Sequence, residues 1–309
     1  MISDELMTIL VSGARGLIGT ELAARLTSDG HRVVELTRRQ VGDRGVEWSP
    51  DEQRIETGKL RDFDAVVHLA GEPVFGRWST AKKRRIRDSR VQGTGLLCES
   101  LAELPDKRRP KTFVCASAIG YYGDRGDEWL TEASLPGEGF LAAVCRDWEA
   151  ACEPARQAGI RVVNIRIGLV LTPKGGLLKL LLPLVKAGLG GRVGDGRQWM
   201  SWIVLDDLVD VLHAAVRNDS FAGPINATAP HPVTNAEFTR TLGRVLRRPT
   251  CFPAPRFGVK ALLGEAADET ALASNRVRPA RLEELGHDFR FDELEPALRF
   301  LLGAVSKPW

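Results

Sequence analysis

The stretch that decides the fold is residues 8–19, TILVSGARGLIG. An apolar run typical of a β-strand leads into three glycines spaced three apart, and an amphipathic stretch follows from Thr20 to Ser28. This order predicts a strand, a tight turn and a helix. Gly13 allows a sharp turn, Gly16 lets the backbone approach a pyrophosphate, and Gly19 lets the helix pack closely on the strand. Because the free N–H groups and the dipole of a helix start favour phosphates, the stretch predicts a dinucleotide site.

A second strand, predicted over residues 30–36, completes a strand–helix–strand unit about twenty residues after the glycines. The alternative is an ordinary turn of an α/β protein that binds no dinucleotide. In NAD sites an acidic residue usually ends this strand and binds the ribose 2′-hydroxyl. Here Glu35 lies three residues too early, and Arg38 and Arg39 follow the strand. A guanidinium group suits a 2′-phosphate, so we expect NADP(H) rather than NAD(H). The alternative is that one or both arginines are merely solvated.

Composition and charge narrow the classes of function. The chain has 309 residues, and its 43% hydrophobic and 27% charged content is typical of a soluble globular protein. A net charge of +3 favours neither nucleic acid nor an anionic membrane as partner. The longest apolar stretch, residues 177–185, is much shorter than the ~20 residues of a membrane span. The basic run at residues 82–87 is expected to be a solvated helix face rather than a nucleic-acid site.

Cysteine usage and the N-terminus favour a cytoplasmic protein. The five cysteines are scattered and form no Cys-x-x-Cys pair, so we expect free thiols in a reducing compartment and no metal site. Asp4 and Glu5 stand where a signal peptide would be basic. A small-molecule substrate is the expected partner. A homodimer is compatible with the sequence but is not indicated by it.

Strand-like and helix-like segments alternate along the first half of the chain. Further strands are predicted near residues 45–48, 64–71, 111–117 and 160–171, and a helix is predicted over residues 140–158. His68, inside one of these strands, is expected to be packed rather than catalytic. This alternation predicts an α/β fold with a doubly wound parallel sheet. Glycine becomes frequent after Pro173, and the two lobes are expected to be interleaved rather than arranged in tandem.

Together these segments resemble the extended short-chain dehydrogenase/reductases, and more closely an atypical epimerase-like group within them. The matching stretches cover nearly the whole chain: residues 13–19, 68–73, 89–90, 117–123, 148–149, 166–171, 194–198, 202–203 and 226–230. The resemblance implies an NADP-binding Rossmann domain over residues 1–172, which also receives residues 203–228 or so. It implies a smaller, interleaved C-terminal substrate-binding cap, mainly over residues 173–309.

The motifs and the resemblance together imply a set of cofactor-binding residues from the glycine turn, the strand ends and the first long helix. The expected residues are Gly13, Arg15, Gly16, Leu17, Ile18, Gly19, Arg38, Arg39, Leu69, Ala70, Gly71, Glu72, Arg90, Ser117, Cys145, Gly168 and Leu169.

The chain departs from the wider family in its acid/base residues. Those enzymes use a Tyr-x-x-x-Lys pair, in which the lysine lowers the tyrosine pKa and the tyrosine exchanges a proton with the substrate. The two tyrosines of this chain, Tyr121 and Tyr122, are not followed by lysine at that spacing. Alignment on Glu149 places Leu141 in the tyrosine position and Cys145 in the lysine position. A leucine exchanges no proton, and a thiol supplies no permanent positive charge.

The remaining members of the usual site are also changed. The family's serine or threonine position falls on Ala118, one residue after Ser117. In the position of the arginine that binds a sugar-nucleotide diphosphate stands Met200, although Arg197 is near. The weak candidates for proton transfer are therefore Ser117, Tyr121, Tyr122, Cys145 and a buried Glu72 with a raised pKa.

Two functions stay open at this point. The first is an NADP-dependent oxidoreductase or epimerase with an unusual acid/base group, acting on a small and possibly sugar-nucleotide substrate. The second is a non-catalytic NADP(H)-binding regulatory or redox-sensing protein. Turnover of the cofactor with a panel of substrates distinguishes the two.

Overall fold

An eight-stranded sheet forms the centre of the structure, a computed structural model that describes residues 6–38 and 45–303. In the numbering given below, its strand order is β12-β8-β6-β5-β1-β2-β3-β4. All neighbours are parallel except the edge pair β3 and β4, which is antiparallel. The predicted doubly wound parallel sheet is confirmed.

The strands are short away from the central sheet. They are β1 (Thr8–Ser12), β2 (Arg32–Thr37), β3 (Gly45–Ser49), β4 (Arg54–Ile55), β5 (Ala65–His68), β6 (Thr112–Ala118), β7 (Trp129–Leu130), β8 (Arg161–Ile167), β9 (Leu169–Leu171), β10 (Trp199–Met200), β11 (Trp202–Val204), β12 (Gly223–Ala227), β13 (Val233–Thr234) and β14 (Arg276–Val277).

The helices cover both faces of the sheet and build most of the C-terminal part. They are α1 (Leu17–Ser28), α2 (Thr80–Ala102), α3 (Phe140–Ala150), α4 (Glu153–Gln157), α5 (Gly176–Lys186), α6 (Leu205–Arg217), α7 (Asn235–Leu246), α8 (Arg256–Leu263), α9 (Ala266–Glu269), α10 (Ala280–Glu284) and α11 (Leu294–Leu301). Within the described ranges, none of these helices has both the length and the apolar character needed to cross a membrane.

Strand β1 shows why the central strands are almost wholly apolar. Ile9 and Val11 point to one face and pack in the core that α1 and α6 cover. Leu10 points to the other face and packs in the core that α2 and α4 cover. All three side chains are fully buried, as expected for a parallel strand covered by helices on both faces.

Several predicted boundaries change in the structure. The helix predicted over residues 140–158 is two helices, α3 and α4, and Pro154 lies in the first turn of the second. This position suits proline, which has no N–H to donate. The strand predicted over residues 160–171 is broken at Gly168, where an added Cβ would lie 2.7 Å from the carbonyl oxygen of Ser201.

Hydroxyl side chains cap two of the longer helices. Ser79 caps α2, because its hydroxyl accepts a hydrogen bond from the N–H of Lys82 at 3.2 Å. The side chain that caps α7 is Thr234, which accepts from the N–H of Glu237 at 3.2 Å. Asn235 instead begins that helix.

The C-terminal part is interleaved with the central sheet. β12 follows the glycine-rich segment in the chain but pairs with β8 at the edge of the large sheet. A separate core lies between α5, α7 and α11. Another cluster joins the two parts, because Ile86 of α2 and Val144 of α3 pack with Leu263 and Ala266 of the C-terminal segment. The boundary at residue 172 stays a prediction.

Candidate cofactor and substrate site

The glycine turn between β1 and α1 has no room for side chains. Gly13 has φ of +69°, and a Cβ added there would lie 2.9 Å from the carbonyl carbon of Leu69. A Cβ at Gly19 would lie 2.2 Å from the carbonyl oxygen of Gly13. The helix begins at Leu17, earlier than predicted, and in the described structure no side chain caps it. Its first N–H groups are therefore left for a ligand.

A cavity of about 350 Å³ runs from this turn along the ends of β1, β2 and β5. Its floor is held by Ser12, whose hydroxyl accepts hydrogen bonds from the N–H groups of Leu69 (3.0 Å) and Ala70 (3.1 Å). His68 is packed as expected, with its Nδ1 2.7 Å from the same hydroxyl. The cavity brings together eight of the predicted cofactor residues: Gly13, Arg15, Gly16, Arg38, Leu69, Ala70, Gly71 and Glu72.

Two arginines stand at the β2 end of this cavity. Arg38 is exposed and, among residues 6–38 and 45–303, has no carboxylate partner. The guanidinium group of Arg15 pairs with the carboxylate of Glu35, with Nε and Nη2 each 3.0 Å from Oε2. The predicted contribution of Arg39 lies outside the described residues. The geometry therefore offers Arg38 and Arg15 as the cations at this end.

The pKa of Glu72 is shifted in the opposite direction to the one predicted from the sequence. Its carboxylate is 2.8 Å from Lys82 Nζ and 3.3 Å from Arg85 Nε. The hydrogen bond from Lys82, with help from Arg85, lowers the pKa of Glu72 even though burial opposes it. The expectation of a buried Glu72 with a raised pKa is wrong, because two residues of α2 stabilise its ionised form. Its carbonyl oxygen also accepts from Arg90 Nη1 at 2.9 Å.

Ser117 takes part in a buried polar network. Its hydroxyl donates to Glu149 Oε1 at 2.7 Å. Glu149 accepts two hydrogen bonds from Arg166, at 2.8 and 2.9 Å, and the Arg166 side chain is only 3% exposed. Burial alone would lower the pKa of Arg166, but Glu149 raises it overall. The single proton of Ser117 is thus directed to a carboxylate that accepts only.

The two tyrosines have different surroundings. Tyr122 is fully buried; its hydroxyl donates to Asn226 Oδ1 at 2.7 Å and accepts from Arg166 Nη1 at 3.0 Å. Burial raises the pKa of Tyr122 to about 12. Tyr121 is only half-buried, and its ring centroid lies 3.5 Å from Arg166 Cζ. The phenol of Tyr121 makes no hydrogen bond with the described part of the chain.

The three positions of the usual acid/base site lie close together but lack the hydroxyl, the phenol and the ammonium group that the family uses there. Leu141 and Cys145 lie one turn apart on α3, and a Cβ at Gly120 would be 3.5 Å from Leu141 Cβ and 3.9 Å from Cys145 Sγ. Burial raises the pKa of the Cys145 thiol to about 12, so it is neutral at physiological pH. Ala118 ends β6 with a methyl group.

A second cavity of about 590 Å³ adjoins these positions. Gly120 and Leu141 line one side, and Glu269 and Asn275 from the C-terminal segment line the other. The carboxylate of Glu269 accepts hydrogen bonds from the N–H groups of Phe140 (2.9 Å) and Leu141 (2.6 Å). Glu269 therefore caps α3 across the boundary between the two parts of the chain.

Apart from Arg39, which lies outside the described ranges, the other predicted cofactor residues do not line either cavity. Leu17, Ile18 and Gly19 form the first turn of α1. Gly168 and Leu169 join β8 to β9, and the guanidinium group of Arg90 lies over the ring of Trp148 at 5.0 Å. Sequence reasoning missed the Arg166–Glu149 pair and Glu269 as parts of the site. Glu149 and Arg166 do lie in two of the stretches that carry the family resemblance, and the pairing of β6 with β8 places Ser117 opposite Arg166.

Comparisons with known proteins match this chain along nearly all of its length. A family model described as the NAD dependent epimerase/dehydratase family matches residues 9–227, and a domain of unknown function matches residues 254–301. An epimerase family protein of Mycobacterium leprae is 42% identical over 302 residues, which is 97% of this chain and 96% of that protein.

Two solved structures are also similar. The human epimerase family protein SDR39U1 with NADPH has a TM-score of 0.88 and 31% identity, and the match covers 97% of this chain and 100% of that one. A structure from Corynebacterium glutamicum, described as a nucleoside-diphosphate sugar epimerase, has a TM-score of 0.82 and 41% identity. The match covers 98% of this chain but 60% of that longer one.

Proposed function

The chain belongs to the NAD dependent epimerase/dehydratase family, and on that premise we propose that it binds NADP(H) and acts as an oxidoreductase or epimerase on a small substrate. The resemblance to an atypical epimerase-like group is confirmed by the similarity to the human epimerase family protein SDR39U1. The observation that carries the proposal is the first cavity, which has the glycine turn at its floor and Arg38 at its end.

The fit of a dinucleotide rests on the crowded backbone of the turn. A Cβ at Gly13 or Gly19 would fall within 3 Å of backbone atoms, so the loop is built for close approach. The uncapped start of α1 would hold the pyrophosphate, and Arg38 would hold a 2′-phosphate. The NADPH in the human relative supports this choice over NAD(H). When bound, such a cofactor supplies or accepts a hydride.

Of the candidates for proton transfer, Tyr121 is the one that we favour, because the hydroxyl and carboxyl groups of Ser117, Tyr122 and Glu72 have partners or surroundings that disfavour the role. The Ser117 hydroxyl donates its hydrogen bond to Glu149, and Tyr122 is fully buried. The hydrogen bond from Lys82 lowers the pKa of Glu72 and so favours its ionised form. Tyr121 is half-buried, its phenol makes no hydrogen bond within the described ranges, and its ring lies against the cation of Arg166. We therefore assign Tyr121 as the group that exchanges a proton with the substrate, with Arg166 as its positive neighbour.

A second function has its own support in the acid/base positions. Ala118 and Leu141 exchange no proton, and the pKa of Cys145 is about 12. A protein that binds NADP(H) and performs no hydride chemistry is compatible with these residues. It would use the cofactor to order its fold or to report redox state to a partner.

Turnover measurements decide between the two functions. NADPH oxidation and NADP⁺ reduction are followed over a panel of aldehydes, ketones, alcohols and sugar nucleotides, with NADPH affinity measured in parallel. The proposed activity predicts turnover with at least one class, and Tyr121→Phe should abolish it while leaving NADPH affinity unchanged. Tight NADPH binding with no turnover across the panel would overturn the catalytic assignment in favour of the non-catalytic function.

A further inference from the structure

We propose that Glu35 competes with the 2′-phosphate of the cofactor for Arg15, and so narrows the preference for NADP(H) over NAD(H). This inference rests on the proposed function. An acidic residue at the end of this strand would ordinarily indicate a ribose-binding carboxylate, but Glu35 lies inside the strand, which ends at Thr37. In this chain the carboxylate is occupied by the arginine of the glycine turn, with both contacts at 3.0 Å.

The pair lies inside the proposed cofactor site. Glu35 is on β2 and pairs with Val11 of β1, and the next pair along the strands joins Leu36 to Ser12, the last residue of β1. Arg15 reaches it from the glycine turn, so the pair bridges the turn and the second strand. Both side chains line the first cavity together with Arg38. A phosphate on the adenosine ribose would therefore meet Arg15 while Arg15 is still bonded to Glu35.

The pair can exchange partners because it is exposed. The side chains are 57% exposed for Arg15 and 33% for Glu35. Exposed ion pairs of this kind are weak, so a phosphate of nearly two negative charges can take over the guanidinium group. The exchange leaves the Glu35 carboxylate without its cation, close to the new anion. NADP(H) bears this cost, whereas NAD(H) has no charge at that position.

The charges of the cavity support the same asymmetry. Among the lining residues that the structure describes, the cations are Arg15 and Arg38 and the acids are Glu35, Asp51 and Glu72, of which Glu72 is paired with Lys82 and Arg85. With Glu35 in place, the charge of Arg15 is compensated, and Arg38 is the lining cation without a carboxylate partner in the described ranges. With a neutral residue at position 35, both guanidinium groups would be free to fork onto the phosphate. Asp51 is unchanged in this comparison.

The test is a double-mutant cycle on cofactor affinity. Glu35→Gln keeps the size of the side chain and removes its charge, so the fold should be retained, which thermal melting checks. Calorimetric titration with NADPH and NADH should show NADPH bound about 3–10-fold more tightly by E35Q than by the unmodified protein, and NADH changed by less than about 2-fold. The gain should shrink as salt rises, because the groups are exposed.

Arg15→Gln supplies the control. If the gain comes from the release of Arg15, then adding E35Q to R15Q should bring less than about half of the improvement seen in the unmodified background. A weaker affinity of E35Q for NADPH, an equal change for NADH, or a full gain in the R15Q background would overturn the inference. An unmodified protein that binds neither dinucleotide would instead refute the proposed function, and this inference with it.

Discussion

Replacement of Gly19 by alanine should separate α1 from the glycine turn. The added Cβ would lie 2.2 Å from the carbonyl oxygen of Gly13 and 2.8 Å from the Cα of Ala14. Non-bonded carbon atoms ordinarily stay at least about 3.5 Å from other heavy atoms, so the backbone must move by about 1 Å to admit the new Cβ. Both neighbours are backbone atoms, and no side chain can rotate away to relieve the contact. We expect a loss of about 1–3 kcal/mol in the free energy of unfolding.

The same movement should displace the N–H groups that we assign to the pyrophosphate. NADPH affinity should therefore fall at least about tenfold, which corresponds to about 1.4 kcal/mol. Denaturant unfolding and calorimetric titration measure the two effects.

The matched control is Gly95→Ala, because a Cβ at Gly95 on α2 meets nothing within 4 Å. That variant should bind NADPH normally and be stabilised by up to about 1 kcal/mol. A Gly19→Ala protein that unfolds and binds like the unmodified chain would refute the reasoning.

Three further predictions concern charge. Arg38→Asp should weaken NADPH binding more than tenfold relative to NADH, since a charge-assisted contact contributes about 1.5–3 kcal/mol; equal losses in titrations with both would contradict the 2′-phosphate assignment. Arg166→Met should lower the free energy of unfolding by about 3–5 kcal/mol, because Glu149 would be left buried without its cation. Adding Glu149→Gln should restore part of this free energy in denaturant unfolding. If the double variant is no more stable than the single one, the proposed role of the pair is contradicted. Burial lowers the pKa of His68 from 6.5 to about 4. Protonation of the unfolded chain should thus reduce stability as pH falls from 6.5 towards 4, by about 2 kcal/mol between pH 7 and pH 5. The His68→Gln variant should lose less unfolding free energy than the unmodified protein between pH 7 and pH 5 in denaturant unfolding. An equal loss in both proteins would contradict the assignment to His68.

The central sheet could be predicted because its strands are apolar on both faces. Runs such as that of β1 leave few alternatives to a buried parallel strand. The ends of helices and strands were harder to predict where a single residue sets the boundary. Pro154 suits the first turn of α4, and Gly168 breaks a long apolar run. Thr234 rather than its neighbour Asn235 caps α7, although asparagine is the more favourable N-cap residue by sequence alone.

The cofactor turn could be predicted from spacing, but the surroundings of single side chains could not. Glu72 was a weak candidate on the assumption of a buried carboxyl with a raised pKa. Lys82 and Arg85 instead lower its pKa, and they reach it because α2 packs against its loop. Ser117 at the end of β6 faces Glu149, which lies 32 residues later in the chain, and the spacing of the two residues does not indicate this contact. Glu269 caps a helix 129 residues earlier, and no local pattern indicates such a contact.

The central claim is that the first cavity holds NADP(H). Calorimetric titration of the unmodified protein with NADPH and with NADH, at the same salt concentration, tests it most directly. The structure predicts binding of one NADPH per chain, tighter than the binding of NADH. Equal affinities or a preference for NADH would contradict the role of Arg38, and an absence of binding to either would contradict the claim itself.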